Sequence, residues 1–246
     1  MLEESFLRIK NLTKRYGGII AVDGCDFEVQ AKSITGMIGP NGSGKTTTID
    51  LISGVQRADS GEIWFKGQRI DRLASYKIAR KGVARSFQIT RVFRTLTVLE
   101  NMIVPMLKHR GVAIFTKAML EHERQRARDI LNFVGIAELE TLQAGNLSFG
   151  QQKLLELALA LMIEPDLILL DEPAGGVNPV MQEKIVGRIR ELNKAGKTFL
   201  IIEHNMDFVM NLCDPIVVLD HGSKIAEGPP REIQKNSQVL DAYLGA

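Results

Sequence analysis

The stretch ITGMIGPNGSGKTTTIDLIS, residues 34–53, constrains this chain more than any other. ITGMIG is a nearly continuous apolar run, the pattern of a strand covered on both faces, and it leads without a break into GPNGSGKT at residues 39–46. That octapeptide matches GxxxxGK[ST] in full, and TTTIDLIS continues it as a helix, so the unit is strand, phosphate loop, helix. Each residue type has a chemical reason. Glycines let backbone amides close around a β-phosphate, Lys45 brings a point charge to β/γ oxygens, and the Thr46 hydroxyl is a Mg²⁺ ligand. The loop marks Gly39, Pro40, Asn41, Gly42, Ser43, Gly44, Lys45, Thr46 and Thr47 as the nucleotide-binding set.

Five other stretches take meaning from that loop. In DLILLDEP, residues 166–173, an apolar strand ends in two carboxylates at the edge of a sheet where ligands bind. Asp171 suits the Mg²⁺ shell and Glu172 suits polarising a water in line with the γ-phosphate. His204 follows the strand TFLII through Glu203, at a second such edge. Tyr16, in TKRYGG, offers a ring to a base, and Gln88, in ARSFQIT, lies where the core gives way to a different kind of sequence. LSFGQQ, residues 147–152, is a second anion site by composition: the Ser148 hydroxyl, the Gly150 amide and a helix expected to begin near Gln151.

The remaining pattern is α/β. FLRIKNL, CDFEVQ and GEIWFKG alternate as half-buried strands of an antiparallel N-terminal part. DLILL, TFLII and PIVVLD are short buried strands separated by helical stretches, which predicts a parallel sheet. Residues 92–162 carry helical patterns without a convincing strand and are expected as a helical insertion, within a single domain of residues 1–246. The core is then 1–91 with 163–235, and 236–246 is a C-terminal tail. In LEHERQRARDIL, Glu121 and Glu123 stand three residues before Arg124 and Arg126, the spacing of an exposed helix face.

Composition excludes more than it assigns. A formal net charge of +2 gives no sign of a nucleic-acid partner, and two distant cysteines, Cys25 and Cys213, make neither a disulfide framework nor a zinc site. MLEESFLRIK has no basic start or apolar segment of a secretory signal. The most apolar region, residues 154–170, is broken by Glu156, Glu164, Pro165 and Asp166, so any membrane spans are expected from a partner.

Tyr16, GPNGSGKT, Gln88, LSFGQQ, LLDEP and His204, in that order, closely resemble the ATP-binding cassette of ABC transporters over essentially the whole chain. The resemblance implies ATP and Mg²⁺ as cofactors, with Lys45, Glu172 and His204 as the catalytic set. It implies that Tyr16 stacks on adenine, that His204 contacts the γ-phosphate, and that Gln88 senses the γ-phosphate beside the metal and contacts a membrane subunit. Ser148 and Gly150 would cap the nucleotide of a second ATP-binding subunit, two ATP molecules being sandwiched head to tail. Two departures stand out: Phe149 replaces a glycine of the usual LSGGQ, and AGGVNP replaces SALDP, putting Asn178 where an aspartate is usual. AGGVNP, LSFGQQ, FQITRVFRTLTVLENM, IIEHNMDFVM and AYLGA look like the ATP-binding subunits of branched-chain amino acid transporters. That implies permease partners, an extracytoplasmic solute-binding protein acting indirectly, and a peripheral place on the cytoplasmic face of the membrane. Three other readings are an importer ATPase for another small solute, a soluble ABC ATPase of DNA repair or chromosome organisation, and a P-loop kinase. The chain has neither the coiled-coil insertion nor the zinc module of the second, and the third does not require LSFGQ or His204.

Overall fold

The computed structural model describes residues 6–86, 92–110 and 117–244. In chain order, β1 (Leu7–Tyr16) and β2 (Ile19–Val29) pair antiparallel, and β3 (Ile34–Ile38) leads through the glycine loop into α1 (Lys45–Ile52). β4 (Ser60–Phe65), β5 (Gln68–Arg69), α2 (Ser75–Arg80) and β6 (Val83–Arg85) follow, then α3 (Val98–Arg110), α4 (Lys117–Val134) and α5 (Phe149–Leu161). The order is completed by β7 (Leu167–Asp171), α6 (Pro179–Lys194), β8 (Thr198–Ile202), α7 (Met206–Leu212), β9 (Ile216–Asp220), β10 (Ser223–Gly228), α8 (Pro230–Ile233) and α9 (Ser237–Leu244).

The apolar runs make a six-stranded sheet in the order β10-β9-β3-β8-β7-β6, parallel from β9 to β6 with β10 antiparallel at one edge. The alternating stretches make a second, antiparallel sheet, β2-β1-β4-β5. Every residue of β3, β7 and β8 is buried, because both faces of the large sheet are covered. Strand periodicity divides them between two cores. Ile38, Ile168, Leu170, Phe199 and Ile201 face the helices, while Met37, Leu167, Leu169, Leu200 and Ile202 face the antiparallel sheet. A side chain such as Phe199, fully buried, is worth about 3–5 kcal/mol against truncation to alanine. The two cores together therefore hold fixed the strand ends that carry the site.

Between β6 and β7 the described residues contain α3, α4 and α5 and no strand, only an isolated bridge between Thr97 and Gln143. The exposed-face expectation for α4 holds for one of its two pairs. Glu121 meets Arg124 at 3.2 Å, but Glu123 is buried and Arg126 instead reaches Glu164 at 2.8 Å. The reason is spacing: Glu123, Ala127, Leu131 and Val134 recur at helical intervals on one face, and that face packs toward α3 and α5. At the C-terminus, Ile233 of α8 and Val239 of α9 both enter the helix-side core, so the stretch 236–246 expected as a tail contains, at Val239, a packed position.

Candidate nucleotide site

The phosphate loop is shaped by what surrounds it. Gly39, Gly42 and Gly44 have φ of 150°, 82° and 97°, a region that side chains other than hydrogen disfavour. Space is the second constraint: a Cβ on Gly39 would lie 2.1 Å from the Leu219 carbonyl oxygen, and one on Gly44 would lie 2.3 Å from that of Ala21. The turn joining β9 to β10 buttresses the loop directly, Gly222 N–H donating to the Ser43 carbonyl at 3.1 Å while its own carbonyl accepts from Asp23 N–H at 2.9 Å. Lys45 Nζ donates to the carbonyls of Gly39 and Pro40, each at 2.8 Å. Burial pulls the Lys45 ammonium below its ordinary pKa, and the carboxylates of Glu172 and Asp171 oppose that. Helix α1 begins at Lys45 with no side-chain cap, leaving its first amides to an anion.

Across the sheet edge, Asp171 pairs in register with Ile202, and its N–H donates to Ser86 Oγ at 3.2 Å. The side chain is 1% exposed, and neither carboxylate oxygen has a hydrogen-bond partner among the described residues. Its nearest counter-charge is Arg85 Nη2 at 3.6 Å, on a guanidinium that is also paired with Asp50. Burial raises the Asp171 pKa, with Arg85 the main opposing influence. A buried carboxylate short of partners suits a divalent cation. Among the described residues no three His, Cys, Asp or Glu side chains group as a cage.

Glu172 sits at φ 52°, a left-handed conformation unusual for a side-chain-bearing residue, held by its N–H donating to the Ile202 carbonyl at 2.9 Å. Its Oε1 lies 3.6 Å from Nδ1 of His204, whose ring is largely exposed. The structure thus brings Lys45, Asp171, Glu172 and His204 to one edge. Tyr16, at the end of β1, has a half-exposed ring with Lys14 Nζ 5.3 Å from its centroid. Gln88 lies outside the described residues.

The geometry of LSFGQQ corrects one expectation. Helix α5 begins at Phe149 rather than near Gln151, because Ser148 is the N-cap: Gln151 N–H donates to Ser148 Oγ at 3.3 Å and Ser148 N–H donates to Gln151 Oε1 at 2.9 Å. A hydroxyl that accepts one bond still has its proton to donate, so capping and phosphate binding are compatible. Phe149 is exposed, and a Cβ on Gly176 would lie 3.0 Å from its Cε1, so the loop AGGVNP makes room for the ring. A Cβ on Gly150 would lie 2.8 Å from Met181 Cγ in the first turn of α6. Asn178 caps that turn, its Oδ1 accepting from Met181 N–H at 2.9 Å. The two departures in sequence are therefore neighbours in space.

Sequence reasoning passed over three contributors: Arg85, Glu203 and the turn at Leu219–Gly222. Glu203 alone had a visible signal, a carboxylate ending an apolar strand just as Asp171 does.

The profile of the ABC transporter family matches residues 22–175, and that of the branched-chain amino acid ATP-binding cassette transporter matches residues 223–246. The high-affinity branched-chain amino acid transport ATP-binding protein BraF of Pseudomonas aeruginosa is 38% identical, over 99% of this chain and 99% of its own. The probable branched-chain amino acid transport ATP-binding protein LivG of Archaeoglobus fulgidus is 42% identical, over 98% of this chain and 95% of its own. Among solved structures, a nucleotide-free ATP-binding cassette from an ABC transporter superposes with a TM-score of 0.88 at 34% identity, covering 98% of this chain and all of that one.

Proposed function

The chain belongs to the ABC transporter family, and from that premise we propose that it is the ATP-hydrolysing subunit powering import of branched-chain, hydrophobic amino acids. The observation that carries the cargo is the branched-chain match at residues 223–246, a stretch that includes β10 and the packed helix α9, together with relatives named for that transport along their whole length. The ATP-binding subunit itself need not touch the solute, so the cargo rests on kinship and not on the site.

In this reading the chain's own residues divide the work. The backbone N–H groups of the loop from Asn41 to Thr47 and the Lys45 ammonium bind the β- and γ-phosphates, and Tyr16 stacks on adenine. Thr46, Asp171 and Gln88 would hold Mg²⁺, which would supply charge neutralisation to the phosphates. Glu172 orients a water and accepts its proton as the water oxygen bonds to the γ-phosphorus and the bond to the ADP oxygen breaks. His204, extending from the neighbouring strand end, contacts the γ-phosphate. Ser148 and Gly150 donate to the nucleotide of a second ATP-binding subunit, which closes the side that the phosphate loop leaves open.

The partners are that second subunit, membrane-spanning permeases, and indirectly an extracytoplasmic solute-binding protein; nucleic acid has no role. The place is the cytoplasmic face of the membrane, peripherally bound, and among the described residues no helix is long and apolar enough to cross a membrane. Residues 92–162 form the subdomain that meets the permease, with Gln88 at its root. Co-purification from native membranes followed by reconstitution in vesicles tests this. ATP-dependent uptake of leucine, isoleucine or valine is expected, while uptake of an unrelated solute alone would overturn the cargo, and absence of any permease would overturn the transport role.

A further inference from the structure

Glu203 is a charged residue in a place that ordinarily rejects charge. It follows directly after β8 at 1% exposure, one residue before His204. Its two oxygens receive three backbone amides: Oε1 accepts from Ala174 N–H at 2.7 Å, and Oε2 accepts from His204 N–H at 3.1 Å and Asn205 N–H at 3.3 Å. Those amides come from two different loops. Ala174 lies two residues after Glu172, in the connection from β7 to α6, while His204 and Asn205 open the connection from β8 to α7. Glu172 is already tied on its other side, its N–H bonding the Ile202 carbonyl at 2.9 Å.

A buried carboxylate is rarely retained for stability, since a well-packed apolar residue often serves as well or better. What a carboxylate offers here is two acceptors at fixed spacing, bridging loops that no ladder hydrogen bond connects. We infer that Glu203 is a positioning residue for ATP hydrolysis, clamping the backbone after Glu172 to the backbone of His204 so that both side chains are held against the same γ-phosphate. The inference rests on the nucleotide reading above and adds to it a residue that touches neither substrate nor metal. Glutamine at this position keeps the shape but turns an amide group toward backbone N–H donors, so at most one side of the clamp survives. Aspartate keeps both acceptors and shortens their reach by one methylene.

The test is steady-state ATP hydrolysis by the full chain with its co-purified partners, alongside ADP affinity and melting temperature of the chain. Misplacing reacting groups by a fraction of an ångström to about 1 Å costs about 10- to 100-fold in rate. Glu203→Gln is therefore expected to lower kcat by about that factor with KM for ATP and ADP affinity within about twofold of the parent. Glu203→Asp is expected to fall only about three- to fivefold, and it carries the test alone if the glutamine variant does not fold. A kcat unchanged in both variants would overturn the inference. So would ADP affinity and melting temperature falling in step with kcat, the mark of a general role in the fold. A parent complex without ATPase activity would overturn the nucleotide reading and this inference with it.

Discussion

The two glycine-containing anion loops of this chain are built in opposite ways. The phosphate loop is enclosed: the Leu219 and Ala21 carbonyls press against Gly39 and Gly44, Gly222 braces Ser43, and Lys45 is bonded to two loop carbonyls. LSFGQQ is open. Ser148 and Phe149 are exposed, Phe149 and Gly150 sit against Gly176 and Met181, and its helix terminus is closed by its own capping box. A loop braced from behind in this way is preorganised to grip a ligand within one chain. A loop with a rigid base and a bare front is preorganised to meet a surface from elsewhere. The comparison teaches that the chain carries one braced anion loop and one exposed one, and this difference supports the proposal that the first is a grip and the second a lid for a neighbour's nucleotide.

Substitutions separate the two regions, and the largest effect is expected at Glu172, the proposed proton acceptor. Glu172→Gln keeps the enclosed grip and removes the proton acceptor, so phosphate release should fall by about 100- to 10,000-fold with ATP affinity nearly unchanged. Near-normal turnover would remove Glu172 from that role. Lys45→Ala strikes the grip itself: losing charge-assisted bonds worth about 3 kcal/mol should weaken ATP binding about 100-fold by calorimetry. An unaltered affinity would mean that the loop amides suffice.

A smaller and more diagnostic effect is expected at Asp171. Burial raises its pKa, so its ionised form is disfavoured in the folded chain, and the stability it contributes is present at low pH and lost as pH rises through the folded value. Asp171→Asn should therefore not lower the melting temperature of the nucleotide-free chain at neutral pH, and should remove the extra stabilisation that Mg²⁺ adds to ATP. A chain that melts lower without nucleotide would show the carboxylate to be a structural member of the Arg85–Asp50 group instead.

How much of this the sequence disclosed depended on how local the determinant is. ITGMIG, LILLD and TFLII announce buried strands because an unbroken apolar run has few other uses, and GPNGSGKT announces its loop because both glycine backbone and lysine charge are dictated by the phosphate. β6 stayed hidden because three residues at a sheet edge, Val83–Arg85, carry no period. β10 stayed hidden because SKIAEG is half exposed and polar. The buttress of the phosphate loop by Leu219 and Gly222, and the clamp of Ala174 by Glu203, join residues far apart in the chain, and no spacing rule reaches them. The nearness of Phe149 to Gly176 is of the same kind: both departures from the family pattern were visible, their contact was not.

The central claim, that LSFGQQ is a lid for another subunit's nucleotide, is tested most directly by Ser148→Arg in a Glu172→Gln background that prevents turnover. Two quantities are measured on the same protein: ATP affinity of the single chain by titration, and ATP-dependent dimer formation by sizing, with the natural partner subunit if self-pairing is weak. ATP affinity is expected to stay within about twofold, because the enclosed loop is untouched, while the dimer is lost, since a bulky cation occupies the bare front of α5. Loss of ATP binding by the single chain, or dimers that form as before, would contradict the division into a grip and a lid.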